Sequence, residues 1–316
     1  MNPESAIYVA GHDGMVGSAI CRRLQAGGYS NIITRELDEL DLTRQAKVEA
    51  FFEAEKPDVV FLAAAMVGGI HANSTRKAEF YYVNAMIATN VIHSAWKSGV
   101  KKLMNLGSTC IYPRMAPQPM HEEDFLTGPL EPTNDAYAIA KISAIEMCRF
   151  YNDQYGTDFL SAMPTNLFGY HDNFNLHSSH VLPALIRKFH DAKLAGGTVE
   201  LWGDGSAIRE FLFADDLADA LLYLMEHCTA EQVGRLVNVG AGQVVTIREL
   251  AELIQSVVGF EGEVLWDTSK PNGMPRKEIV VDHLAKLGWQ AKTSLRDGLE
   301  KTYQWYCQTD DSLKRM

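Results

Sequence analysis

The stretch at 9–24, "VAGHDGMVGSAICRRL", sets Gly11, Gly14 and Gly17 between a short apolar run and a helical pattern. The run is "AIYVA" (6–10), and Val16, Ala19, Ile20 and Leu24 recur at the spacing of one helix face. Glycines permit a tight turn and let backbone N–H groups approach a diphosphate, which the positive end of the following helix stabilises. A glycine triplet alone says little. Its order here, strand then glycines then helix, is what dinucleotide binding requires, so Gly11, Gly14, Met15, Val16 and Gly17 are candidate cofactor residues.

The same alternation continues outward. "NIITR" (31–35), "DVVFLAAA" (58–65), "KKLMNLGS" (101–108) and "FLSAMPTNLFG" (159–169) read as further strands. Near-continuous apolar strands separated by helical segments predict a parallel sheet covered on both faces. From about 170 the character changes: "GYHDNFNLHSSH" (169–180) is a polar, aromatic loop, and "LPALIRKFHDA" (182–192) is helical. "TVELWGDG" (198–205) reads as strand and turn, "REFLFADDLADALLYLMEH" (209–227) as strand and helix, and "TIRELAELIQSVVG" (246–259) as a helix. The expected division is a dinucleotide domain over 1–170 with about 209–240, and a substrate domain over about 171–208 and 241–316.

Arg35 closes the second strand and Glu36 follows it. An acidic residue there binds the ribose hydroxyls of NAD, whereas an arginine pairs the 2′-phosphate of NADP. Arg35 therefore points to NADP, and Glu36 weakens that argument. "ELDLT" (39–43) adds Asp41 and Leu42 as neighbours of the adenine.

Composition narrows the class. The 316 residues are 47% apolar and 22% charged, with a net charge of −11. An acidic chain without a block of Lys or Arg argues against nucleic acid or an anionic membrane as partner. The five cysteines are odd in number, scattered and without a CxxC pair, which argues against a disulfide framework or a zinc site and for a reducing cytoplasm. No stretch approaches the ~20 apolar residues of a membrane span, and no cluster has metal-ligand spacing.

"YAIAK" (137–141) follows Thr133-Asn134-Asp135, a helix opening, and so puts Tyr137 and Lys141 on one helix face. An ammonium beside a phenol favours the phenolate and lowers its pKa from ~10. Such a pair passes a proton to or from a carbonyl or alkoxide while hydride moves to or from a nicotinamide. The spacing is common by chance. It gains weight from Ser108, at the end of "KKLMNLGS", the edge where sheets of this kind bind ligands. Beyond it, "GSTCIYP" (107–113) brings Cys110, either a small buried filler or a proton-transferring group.

Ser108, Tyr137 and Lys141 resemble the triad of the extended short-chain dehydrogenase/reductase family. Dehydratases of that family carry an acidic pair just after Ser108, where this chain has Cys110 and Ile111. "GHDGMVGSAI", "AAAMVGGIHANS", "GSTCIYP", "EPTNDAYAIAK", "MPTNLFG", "SSHVLPALIRKF", "REFLFADD" and "KPNGMPRK" span nearly the whole chain. Together they are similar to the family's bifunctional 3,5-epimerase/4-reductases, which act on GDP-4-keto-6-deoxy-D-mannose. The resemblance implies an α/β fold, a Rossmann-type doubly wound parallel sheet with a smaller C-terminal α/β substrate domain. It also implies NADP(H) as cofactor, a GDP-sugar as substrate and a homodimer.

In that chemistry C3 and C5 flank the C4 ketone, so their protons are acidic enough to be removed and returned on the opposite face. The resemblance makes Cys110 and His180 the acid/base pair across the ring, with Ser108 and Tyr137 bonded to the enolate oxygen. Tyr137 would then protonate the alkoxide as C4 is reduced. His171 and His177 lie close by in sequence, and only the match around "SHVLPAL" singles out His180. The same match places Ala64, Asn166 and Leu167 beside the cofactor with Tyr137 and Lys141, and Arg187, Trp202, Arg209 and Lys277 at the GDP end. It also gives the "MVGG" loop (66–69) a part in shaping the sugar pocket.

Where family members often have a basic residue between His12 and Gly14, this chain has Asp13, whose charge repels the cofactor phosphates by about 1 kcal/mol if solvated. Three other readings remain. One is an analogous enzyme making GDP-L-colitose from a 3-deoxy substrate, inverting C5 alone. Another is a reductase without epimerase activity, against which Cys110 and His180 argue. The last is a non-enzymatic dinucleotide sensor, which would not need Ser108, Tyr137 and Lys141 together.

Overall fold

The computed structural model describes residues 1–176, 178–270 and 272–309. In chain order its strands are β1 (Ile7–Ala10), β2 (Ile32–Ile33), β3 (Val59–Leu62), β4 (Lys102–Leu106), β5 (Phe159–Pro164), β6 (Asn166–Phe168), β7 (Val199–Trp202), β8 (Ile208–Phe213), β9 (Val237–Val239), β10 (Val244–Thr246), β11 (Val264–Asp267) and β12 (Arg276–Lys277). The helices are α1 (Met15–Ala26), α2 (Gln45–Glu55), α3 (Ile70–Thr75), α4 (Lys77–Lys97), α5 (Asp135–Tyr155), α6 (Val181–Ala195), α7 (Ala214–His227), α8 (Ala230–Val233), α9 (Ile247–Val258), α10 (Asp282–Lys286) and α11 (Leu295–Gln308).

All four residues of β1 are buried, and successive side chains enter different cores. Ile7 and Val9 pack with Leu24 of α1 and Leu217 and Leu221 of α7. Tyr8 and Ala10 pack with Phe52 of α2, Val91 of α4 and Ala144 of α5. Each such fully buried aliphatic or aromatic side chain contributes about 1.5–3 kcal/mol by leaving water. Helices on both faces are why the strands read as unbroken apolar runs. The sheet order is β2-β1-β3-β4-β5-β9, every neighbour parallel. The order reverses between β1 and β3, which opens a crevice at their C-terminal ends.

A second sheet is built around β8, antiparallel to β10 and parallel to both β6 and β12, and β7 pairs with β11 alone. Its core joins Phe168, Phe211 and Phe213 to Ile186 and Phe189 of α6, Ile254 of α9 and Tyr306 of α11. The helix α9 starts where Thr246 accepts from the Glu249 N–H at 3.1 Å and the Glu249 carboxylate accepts from the Thr246 N–H at 2.7 Å, a reciprocal cap.

Two strands differ from their sequence reading. "FLSAMPTNLFG" is not one strand: it divides at Thr165, whose N–H reaches the Val239 carbonyl at 3.0 Å. Pro164 has no N–H with which to continue the first ladder, and the chain crosses to the second sheet as β6. "NIITR" forms a ladder only at Ile32 and Ile33, because Arg35 turns towards α2 and bonds to Glu55. Among the described residues no helix is long and apolar enough to cross a membrane, and all five cysteines are free.

Candidate active site

The cofactor end is set by backbone proximity. Gly11 sits at φ +77°, the left-handed region, and a Cβ there would lie 2.7 Å from the Ala64 Cα, just beyond β3. A Cβ on Gly17 would lie 1.9 Å from the Gly11 carbonyl oxygen, so the first turn of α1 rests directly on the loop. Helix α1 opens at Gly14 without a side-chain cap and without an acidic residue in its first turn. Its leading N–H groups are therefore left for an anion, and Met15 and Val16 back the loop against the main core. A tight cradle and an uncapped helix end fit a dinucleotide diphosphate.

The ribose end carries more negative charge. Glu36 Oε1 lies 3.2 Å from His12 Nε2, while His12 Nδ1 is buried and unpartnered among the described residues. The Arg35 guanidinium bonds to Glu55 and to the Thr34 carbonyl at 2.7 Å, and stands 5.5 Å from the centre of the Phe51 ring. Asp41 closes its own turn, accepting from the Thr43 N–H at 2.9 Å and hydroxyl at 2.7 Å, which holds its carboxyl below the usual range. Leu42 is buried beside it. Asp13 is exposed. Its field acts on His171, whose imidazole burial and the Arg22 charge hold below its ordinary value.

The reacting end gathers side chains from distant segments. After β4 the chain makes a single 3₁₀ turn over Thr109–Ile111, which seats Cys110 with 8% of its surface exposed. Helix α5 supplies Tyr137 and Lys141; the Lys141 ammonium donates to the Leu106 carbonyl at 2.8 Å and stands 5.8 Å from the centre of the Tyr137 ring. Phe80 of α4 meets Tyr137 edge-on with centroids 6.3 Å apart, which fixes the ring's tilt. His180 is the residue before α6 and is exposed. Lys277 lies on β12 in register with Arg209 on β8.

The charges of these groups are interlocked. Burial raises the Cys110 thiol, while a hydrogen bond from Ser108 and the ammoniums of Lys277 and Lys141 pull it back down. The surrounding protein and then the Lys277 charge hold His180 below its ordinary value. Lys277 is itself lowered by burial, with the Cys110 thiolate opposing and Arg209 adding to the shift. Burial lowers Lys141 to about 8. Tyr137 is raised by burial, opposite to the sequence expectation, because desolvation outweighs an ammonium that bonds to a carbonyl instead.

The other candidates have contacts of their own. Arg209 donates to the Ile208 carbonyl at 2.7 Å and, among the described residues, pairs with no carboxylate. Arg187 reaches the Phe174 carbonyl at 3.2 Å and Asp191 at 3.4 Å. Trp202 is 63% exposed on its edge strand, with the Lys270 ammonium 5.9 Å from its ring centre. Leu167 packs on the main core. The 66–69 loop meets the segment before His180 where the Gly69 N–H reaches the Ser178 carbonyl at 3.2 Å. His171 lies with its ring 5.0 Å from Trp305, and His177 falls outside the described residues.

One residue escaped the sequence reading. Glu210 is fully buried, and its carboxylate accepts from the N–H groups of Gly242 at 2.9 Å and Ile279 at 3.3 Å. Its main-chain oxygen takes the Asn166 amide at 2.8 Å. Glu210 thus ties β6, the loop after β9 and the segment after β12 to one point. The signal was an acid set directly before the apolar run "FLF" (211–213).

Known proteins resemble the chain over nearly its whole length. The model of the NAD dependent epimerase/dehydratase family matches residues 7–240. GDP-L-fucose synthase 1 of Arabidopsis thaliana is 58% identical over 308 residues, covering 97% of this chain and 94% of its own. GDP-L-colitose synthase of Yersinia pseudotuberculosis is 38% identical over 302 residues, with 95% and 97% covered. A solved structure of a GDP-L-fucose synthetase from Naegleria fowleri bound to NADP superposes with a TM-score of 0.90 at 29% identity, over 98% of this chain and 94% of that one.

Proposed function

We infer the activity from the site and from one fact: the chain belongs to the NAD dependent epimerase/dehydratase family. It converts GDP-4-keto-6-deoxy-D-mannose to GDP-L-fucose, inverting C3 and C5 and then reducing C4 with NADPH. The observation that carries this reading is the Cys110 thiol and the His180 imidazole, from separate segments, both within the field of the Lys277 ammonium. The 58% identity to a GDP-L-fucose synthase, against 38% to a GDP-L-colitose synthase, favours the substrate that needs two inversions.

The chemistry follows from the resting charges. Each inversion removes one proton and returns one on the opposite face. A raised thiol keeps its proton and a lowered imidazole keeps an open lone pair, so the pair holds one donor and one acceptor. Lys277 eases formation of a thiolate, and Ser108 and Tyr137 offer hydroxyls to the enolate oxygen. When bound, NADPH supplies the hydride to C4. The raised phenol of Tyr137 is then in the form reduction needs, because it must give a proton to the alkoxide. Arg209, in register with Lys277 and without a carboxylate partner among the described residues, suits the diphosphate of GDP, and we assign Arg187 and Trp202 to the same ligand.

We also read the chain as a cytoplasmic homodimer, its dinucleotide domain 1–170 with about 209–240. Five free thiols suit a reducing compartment. The exposed Tyr81 and Tyr82 of α4 and Ile139 and Phe150 of α5 give a subunit interface its apolar anchors. Incubation in D2O with GDP-4-keto-6-deoxy-D-mannose, without NADPH, tests the main reading by mass spectrometry. Two deuteriums are expected, lost in Cys110→Ser and His180→Gln. Deuterium at C5 alone would make this a single-centre epimerase, and none, with reduction intact, would leave a plain ketoreductase.

A further inference from the structure

We propose that Glu55 holds Arg35 away from the 2′-phosphate of NADPH and thereby sets how sharply the site separates NADPH from NADH. The inference rests on the cofactor reading above. At the end of β2 an arginine is the group that pairs a 2′-phosphate, and Arg35 is the arginine there. Its guanidinium is already engaged three ways: by the Glu55 carboxylate at the last residue of α2, by the Thr34 carbonyl, and by the face of Phe51. The next residue, Glu36, faces His12 of the glycine loop at 3.2 Å and adds a second carboxylate to this edge. The chain thus meets a dianionic phosphate with an arginine that a carboxylate already occupies.

The consequence is specific to one nucleotide. A 2′-phosphate has to compete with Glu55 for the Arg35 guanidinium, so NADPH binding is weakened by that competition. NADH, with a 2′-hydroxyl, makes no such demand on Arg35. Both partners are about one-third exposed, at 34% each. An ion pair so placed corresponds to a roughly two- to fivefold change in an equilibrium. Glu55 lies at a helix end and touches no reacting atom, so its replacement leaves the chemical steps alone.

The test is titration of NADPH and of NADH into the protein, followed by tryptophan fluorescence, with Glu55→Gln, Arg35→Ala and the double variant alongside. Glu55→Gln is expected to tighten NADPH about two- to fivefold and to leave NADH unchanged. The gain must vanish on the Arg35→Ala background, since Glu55 acts through that arginine. Equal tightening of both nucleotides, no change in either, or a gain that persists without Arg35 would each overturn the proposal. If the unaltered protein binds neither nucleotide, the cofactor reading fails instead, an outcome distinct from these.

Discussion

Alanine at Gly17 and alanine at Gly14 should fail in different ways, and the difference separates folding from ligand binding. At Gly17 the new Cβ would lie 1.9 Å from the Gly11 oxygen, 2.6 Å from its carbonyl carbon and 2.7 Å from the His12 Cα, all backbone atoms. Clearing the oxygen alone moves α1 or the loop by about 1 Å, since real contacts hardly fall below 3.0 Å. Overpacking of this kind costs about 1–3 kcal/mol, which for a chain of this length lowers the melting temperature by roughly 1.5–4.5 °C. At Gly14 the nearest atom is the same oxygen at 3.6 Å, and the backbone lies at φ −74° and ψ 169°, where any residue fits. The free Gly14→Ala protein should therefore melt within about 1 °C of the parent. Its Cβ, however, stands at the mouth of α1, where a diphosphate must approach closely. NADPH at a hundred times its dissociation constant stabilises the parent by about 2.7 kcal/mol, a rise that Gly14→Ala should lose. Scanning calorimetry with and without NADPH reads both effects. A Gly17→Ala protein that melts like the parent, or a Gly14→Ala protein that gains the full NADPH shift, would refute the argument.

Other perturbations have signed outcomes. Lys277→Met removes a charge that lowers both Cys110 and His180, so both should titrate higher; deuterium exchange into the substrate should fall at least about tenfold near neutrality, its pH profile moving upward. An unchanged profile would show that Lys277 serves the diphosphate alone. Lys141, held near 8 by burial, loses its proton in mild alkali, so C4 reduction should decline above about pH 8 and Lys141→Met should lack that limb. Its unfolded form binds the proton more tightly, so between about 8 and 10.5 Lys141 makes stability rise with pH. Asp172 is pushed to about 7 by burial, and its Oδ2 has no partner among the described residues. The native state there holds the proton more tightly than the unfolded one, whose value is near 3.8, so stability is lost as pH rises from about 4 to 7. Asp172→Asn should stabilise the protein at pH 8 by on the order of 2–4 kcal/mol, a gain that shrinks towards pH 4 in denaturant titrations.

What could be read from sequence was whatever depends on local order. The glycine turn, the apolar strands and the Tyr137–Lys141 helix face are set by residues within a few positions of one another, and the chain's periodicity displays them directly. The break at Thr165 is non-local: "FLSAMPTNLFG" is apolar throughout, and only the partners, Val239 for the first part and Phe211 to Phe213 for the second, decide where one sheet ends. The sign of the Tyr137 shift was also beyond the sequence. Spacing puts a lysine near the phenol, but burial and the Leu106 carbonyl decide how much of that charge the phenol feels. Arg35 shows the same limit, since nothing near it in sequence announces that Glu55, a helix away, takes its guanidinium.

The proposed mechanism needs groups from both sheets, and the placement of Lys277 shows how the fold joins them. Cys110, Tyr137 and Lys141 all belong to elements of the first sheet and its helices, and a carbonyl reductase needs only the last two with Ser108. Opposite-face proton return needs a second group that does not share that surface. His180 and Lys277 come from segments that pack with the second sheet, and Lys277 sits on a two-residue strand that its own hydrogen bonds could not fix. Its position is set from β8: the register aligns it with Arg209, and the neighbouring Glu210 carboxylate captures the Ile279 N–H just beyond. The carbonyl of that same Glu210 holds Asn166 at the crossing between the two sheets. A buried carboxylate therefore anchors the segment that carries Lys277 to the crossing between the two sheets, and with it the charge that acts on both Cys110 and His180.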